Sequence, residues 1–68
     1  AGGVTIKKGT FVSVGVTINP GVVVGKNCII GSGSTVISDI PDNSLVYGTP
    51  GKIIRKTEDM DNIWSKLL

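Results

Sequence analysis

The most apolar stretch of this chain, GVTINPGVVVGKNCIIGSGS over residues 15–34, is broken by Gly or Asn at regular intervals, and the interval is six. In a frame of six starting at Ile6, the first position holds Ile6, Val12, Ile18, Val24, Ile30 and Val36. The fourth holds Gly9, Gly15, Gly21, Asn27, Gly33 and Asp39, residue types that accept the backbone of a tight turn. The fifth holds Thr10, Val16, Val22, Cys28, Ser34 and Ile40, all small or aliphatic. Gly3 and Val4 carry the same frame backwards.

So many glycines and β-branched residues disfavour a helix, and strict alternation along one long strand does not fit either. Each hexad reads instead as a very short strand followed by a turn. Short repeats of this kind are the signature of a parallel β-solenoid. With three hexads to a coil, residues 18 apart stack: Ile6 on Val24, Val12 on Ile30 and Ile18 on Val36, with Val4, Val22 and Ile40 in one column. Thr10 over Cys28 and Val16 over Ser34 then fill the narrow inner corners.

A chain of 68 residues is one domain at most, in a size range where burial alone gives little stability. Its single cysteine excludes an internal disulfide, and without a histidine it has no Cys/His metal cluster. Oligomerisation is the remaining reinforcement. Two coils also leave open strand edges at both ends, so further coils are expected before Ala1, and the missing initiator Met fits a piece of a longer protein. Phe11 and Ile29 stack on one outer face, with Val14 and Val23 also outward, and a stacked apolar pair of this kind marks an interface. Seven Lys and Arg against five Asp and Glu give a net charge of +2, too balanced to point to nucleic acid or an anionic membrane. No apolar run approaches the ~20 residues of a membrane span. The start Ala1-Gly2-Gly3 is not that of a signal peptide, so a soluble, cytoplasmic protein is expected.

These hexads resemble those of the bacterial hexapeptide-transferase family, the left-handed β-helix acyltransferases, whose repeat has an aliphatic first position and a small fifth one. The resemblance covers residues 1 to about 56. It implies an all-β fold, a left-handed parallel β-helix, assembled as a homotrimer through the solenoid side wall. The left hand comes from the resemblance alone, since general crossover rules favour the opposite one. On this reading residues 1–41 are the coils, 42–56 a closing loop and strand, and 57–68 a C-terminal helix.

The segment DIPDNSLVYGTPGKIIRK, residues 39–56, reads locally as a turn at Pro41 to Asn43, a strand at Leu45 to Tyr47, a turn at Gly48 to Gly51, and a strand at Ile53-Ile54 with basic flanks. It also resembles the family's closing segment, Ile-Pro, then a strand, then Gly-x-Pro-Ala-Lys, beside which acetyl-CoA lies. It departs from that pattern at Gly51, where Ala is usual, and at Ile37-Ser38, where many relatives carry Thr-Lys. Carried onto this chain, the resemblance makes Gly15 and Gly33 candidate backbone contacts for acetyl-CoA, Pro50 and Gly51 adenine-side contacts, and Lys52 and Arg55 phosphate partners. The physical basis is that turns with positive φ expose N–H groups, while Lys and Arg pair with phosphates. Turn geometry alone also accounts for each glycine, and a solvated face accounts for Lys52 and Arg55.

In the tail TEDMDNIWSKLL the period changes: Met60, Ile63, Trp64 and Leu67 follow helical spacing, with Thr57 as cap and Glu58 and Asp59 in the first turn. A short amphipathic helix is expected, marginal alone and docked on the solenoid wall or on a neighbouring subunit, with Trp64 in a packing role.

Acetyl transfer from a thioester needs a base to take the acceptor's proton. The family uses a histidine; this chain has none. The stretch AGGVTIKKGTF is similar to the sugar acetyltransferase branch, where that histidine would lie just upstream of Ala1, so no catalytic or metal-binding residue is assigned in this chain. Cys28 occupies an inward position and reads as a small buried residue rather than a nucleophile. Asp39 and Asp42 sit in turns with no visible partner. GVVVGKN has three residues between its glycines where a phosphate loop needs four. GSGSTV carries Val36 at the third glycine of a dinucleotide fingerprint, and no crossover helix follows.

The sequence is thus read as the C-terminal part of an acetyl-CoA-dependent sugar O- or N-acetyltransferase, with a sialic acid or nucleotide-amino-sugar acceptor by resemblance. Alone, the 68 residues are expected to be inactive. The other reading, from a different class, is a non-catalytic β-helix serving as an assembly scaffold. A carbonic anhydrase of the same fold is disfavoured because its metal needs His ligands.

Overall fold

In the computed structural model the described residues are 2–57. Eight strands follow in order: β1 Thr5–Ile6, β2 Phe11–Val12, β3 Thr17–Ile18, β4 Val23–Val24, β5 Ile29–Ile30, β6 Thr35–Val36, β7 Ser44–Tyr47 and β8 Lys52–Lys56. The first six are two residues long and spaced by six, so each hexad supplies one strand. The turns between them are set by residues that tolerate a left-handed backbone: Gly15 and Gly33 have φ of 72° and 74°, and Asn27 has 54°. The helix expected over 57–68 lies, beyond Thr57, outside the described residues.

Every third strand pairs in parallel. β1 pairs with β4, β2 with β5 and β3 with β6, in the register Ile6 with Val24, Val12 with Ile30 and Ile18 with Val36. These are the stacks that the 18-residue spacing calls for. The strand edges are stitched by backbone hydrogen bonds such as Phe11 N–H to the Cys28 carbonyl at 2.9 Å and Thr17 N–H to the Ser34 carbonyl at 2.9 Å.

Above β4 and β5 the register shortens. Ile40 bridges Val24, and β7 pairs in parallel with β5 through Ile29 with Leu45 and Ile30 with Val46. The spacing has dropped from 18 to 16 residues. The expected column of Val4, Val22 and Ile40 therefore fails at its last member. Asp39, expected in a left-handed turn position, is not there; Asn43 takes that conformation instead, with φ 58°. The Asp39 carboxylate has another task. Thr5, Phe11 and Thr17 donate their N–H groups to backbone carbonyls, but the equivalent Val23 N–H donates to Asp39 Oδ1 at 2.8 Å. Asp42 Oδ1 accepts the Lys26 N–H, also at 2.8 Å. Both carboxylates thus have partners that the sequence did not reveal, and the Asp39 oxygen stands in for the carbonyl lost when the repeat is cut short. Asp39→Ala is expected to lower stability by about 1 kcal/mol, while Asp39→Asn, which keeps an acceptor oxygen, loses less. Urea unfolding of both variants checks this.

The closing strand runs the other way. β8 pairs antiparallel with β7, completing a four-stranded sheet in the order β2, β5, β7, β8. A register shift between Leu45 and Val46 leaves Ile54 as the extra residue on β8, since Leu45 faces Arg55 and Val46 faces Ile53.

The core consists of Val22, Val24, Cys28, Ile30, Val36, Ile40 and Val46, with Val12, Val16 and Ile18 packed partly against it. Burial follows position in the stack. Ile30 is 0% exposed and Ile6, at the same hexad position, is 44% exposed, because Ile30 has Val12 on one side and Val46 on the other while Ile6 pairs only with Val24. Cys28 is buried, and its Sγ lies 3.2 Å from the Pro41 carbonyl, a packed thiol with no polar partner beyond the backbone. Ser34 is buried too, donating from Oγ to the Gly31 carbonyl at 2.7 Å and accepting the Gly48 N–H at 3.2 Å. Among the described residues no helix is long and apolar enough to cross a membrane.

Candidate functional site

The corner that follows the four-stranded sheet gathers five of the six candidate residues. Gly15 and Gly33 occupy successive turns there: the Gly33 N–H donates to the Val14 carbonyl at 3.0 Å. The closing turn lies over them. Thr49 Oγ1 is 3.4 Å from the Gly33 carbonyl and 3.5 Å from Thr35 Oγ1, and the Gly51 N–H donates to the Thr35 carbonyl at 2.7 Å. The Thr49–Pro50 peptide is cis. Lys52 begins β8 directly after this turn, paired with Tyr47 and exposed.

Two details refine the sequence-based reading. The N–H groups of Gly33 and Gly51 are already bonded within the protein, so what these residues offer a ligand is close approach rather than donation. The small residue at 51 has a packing reason: a Cβ there would sit 3.0 Å from the Thr35 carbonyl oxygen and from Val46 Cγ1. Arg55 stands apart from the other five. It lies three residues along β8, opposite Leu45, a distance of roughly 10 Å along a strand. Directly paired residues share a sheet face, so Lys52 with Tyr47, and Arg55 with Leu45, are on the outer face. Phe11 and Ile29 pair on that same face, with Phe11 62% exposed.

Three residues at this corner were not singled out from the sequence: Thr35, Thr49 and Tyr47. A threonine inside a Gly-x-Pro-Gly turn is a weak signal, and only the stacking of turns brings Thr49 within reach of Thr35. Among the described residues there is no group of three or more His, Cys, Asp or Glu placed to hold a metal ion.

Residues 3–38 match the family described as Bacterial transferase hexapeptide (six repeats), over half of the chain. The chain belongs to the hexapeptide transferase family. A curated family relative, the galactoside O-acetyltransferase of Lactococcus lactis subsp. lactis (strain IL1403), is 47% identical over 58 residues, which are 85% of this chain and 28% of that protein. Among solved structures of hexapeptide transferases, a galactoside acetyltransferase in complex with coenzyme A superposes with a TM-score of 0.81 at 42% identity, covering 87% of this chain and 30% of that one. PerB from Caulobacter crescentus, in complex with CoA and GDP-perosamine, gives a TM-score of 0.75 at 40% identity, covering 79% of this chain and 26% of that one. The chain thus spans less than a third of the length of these hexapeptide transferases.

Proposed function

We propose that this chain is the C-terminal, cofactor-side part of an acetyl-CoA-dependent acetyltransferase acting on a hydroxyl or amine of a sugar. The observation that carries the reading is the corner itself. A chain 42% identical to a CoA-bound galactoside acetyltransferase stacks Gly15, Gly33 and the Thr49–Gly51 turn beside an exposed lysine. These residues suit the ligand. The glycines leave the turns without side chains, Thr35 and Thr49 offer hydroxyls, and Lys52 can pair with a phosphate. Acetyl-CoA, when bound, supplies the activated acetyl group. This chain's residues hold and orient it, and the base that takes the acceptor's proton comes from outside these 68 residues, which contain no histidine.

The finer features belong to the same proposal. The repeat winds as a left-handed β-helix, consistent with the parallel stacking of every third strand. Three copies associate in the cytoplasm through the outer face that carries Phe11, Ile29 and Leu45. The acceptor is a sugar, as in the galactoside enzymes and in PerB with GDP-perosamine, and a sialic acid belongs in the same acceptor screen. A scaffold that binds no acetyl-CoA is the contrasting reading.

Calorimetric titration of acetyl-CoA into the longest native form of the protein separates the two. Binding is expected, and Lys52→Ala with Arg55→Ala should weaken it by about tenfold or more, the loss of two charge-assisted contacts. A well-folded trimer that takes up no acetyl-CoA would establish the scaffold.

A further inference from the structure

On the outer face of the four-stranded sheet an exposed aromatic ring, Tyr47, pairs with an exposed lysine, Lys52. Tyr47 is 56% exposed, and its ring lies against Gly31, where a Cβ would collide with it. Gly31 thereby acts as a seat: with no side chain on β5's flank, the ring rests against backbone and turns the rest of its surface to solvent. Lys52 is its direct cross-strand partner, with Cβ atoms ~5 Å apart in such pairs, and it too is exposed. The Thr49–Gly51 turn that touches Thr35 and Gly33 joins the two strands. A π-face, a flexible ammonium and a turn lined by hydroxyls thus meet within one hairpin.

We propose that Tyr47 is a stacking platform for the adenine base of the nucleotide half of acetyl-CoA, with Lys52 holding a phosphate beside it. This rests on the functional reading above and extends it to a residue outside the family's Gly-x-Pro-Ala-Lys pattern. A purine needs a flat apolar surface on one side, and its phosphates need a cation within a few ångströms; the Tyr47–Lys52 pair supplies both. The other strongly exposed aromatic among the described residues does not. Phe11 is on β2, three strands from Arg55 on β8, roughly 14 Å at ordinary strand spacing, and its register neighbours Ile29 and Leu45 are apolar.

The test titrates acetyl-CoA and, separately, adenosine 3′,5′-bisphosphate into the longest native form and into its Tyr47→Ala and Tyr47→Phe variants. Base stacking on an aromatic side chain is worth about 5- to 150-fold in affinity. Tyr47→Ala should weaken both ligands by a similar factor in that range, and Tyr47→Phe should restore both. Tyr47→Phe keeps the ring against Gly31 and should unfold at the same urea concentration as the parent, and the binding of Tyr47→Ala is compared under conditions where its unfolding curve shows it folded. If Tyr47→Ala leaves acetyl-CoA binding unchanged, or weakens acetyl-CoA without weakening the bisphosphate, Tyr47 is no base platform. If the bisphosphate binds the parent no better than the Tyr47→Ala variant, the same conclusion holds. If the parent binds no acetyl-CoA at all, it is the acetyltransferase reading that fails.

Discussion

Replacing Ile30 by Ala is expected to destabilise the fold by about 2–5 kcal/mol. Ile30 is fully buried, in register with Val12 on one side and Val46 on the other, so its truncation leaves a void between two strands that cannot close without breaking a parallel ladder. Small domains hold only about 5–15 kcal/mol in total, so the loss is a large fraction of the whole. Ile6 is the control. It holds the same position in the repeat but is 44% exposed, and Ile6→Ala should lose less than half as much. Urea unfolding at one fixed protein concentration compares them, since any association would couple stability to concentration. Equal losses would mean that the stack does not determine burial as described.

The second large effect comes from a residue with no side chain. A Cβ on Gly25 would fall 2.6 Å from the Asp42 backbone nitrogen and 2.8 Å from its Cα, and it would also strike the Asp42 carboxylate. Gly25 is not among the positive-φ residues, so the conflict is purely one of space. Gly25→Ala must push away the turn whose carboxylate accepts the Lys26 N–H, for an expected loss of about 3 kcal/mol, the upper part of the overpacking range. Gly21→Ala isolates the contrasting case. Gly21 has φ 82° with open space around it, so alanine there meets only the left-handed backbone penalty, about 1–2 kcal/mol. Thermal or urea unfolding of the pair should rank Gly25→Ala as clearly worse, and the reverse order would contradict the tight seating of the closing turn on Gly25.

The six-residue period made most of this fold legible. Strand positions, inward residues and the three 18-residue stacks all follow from aliphatic residues at Ile6, Val12 and Ile18 and their counterparts one circuit later, because parallel strands in register must place like with like. The same rule misread residues 37–43. Asp39 falls in the turn slot of the frame, but a carboxylate is also a hydrogen-bond acceptor, and it caps Val23 while the turn moves to Asn43. Two residues leave the repeat there, and no period can announce its own interruption. The candidate site was legible to the extent that it lies in one segment: Pro50, Gly51 and Lys52 are contiguous, and Gly15 and Gly33 are a circuit apart. Tyr47 was not, because its place is set by what Gly31 lacks, and that absence gains meaning only when the two residues are brought face to face. The backbone N–H of Gly33 was misjudged for a similar reason. Positive φ shows that a turn is present, but the neighbouring circuit decides whether its donor is free.

The antiparallel course of β8 also governs growth along the stacking direction. Parallel ladders with a fixed repeat could in principle extend from molecule to molecule, each copy adding its strands to the exposed edge of the one before, into an open-ended fibre. At the β8 edge of the four-stranded sheet such an addition meets a strand of reversed direction, displaced by the bulge at Ile54 and carrying Lys52, Arg55 and Lys56. Edges are blunted in these two ways, by irregular geometry and by lysine-rich charge. The closing hairpin therefore makes this edge of the four-stranded sheet a poor template for a further parallel strand.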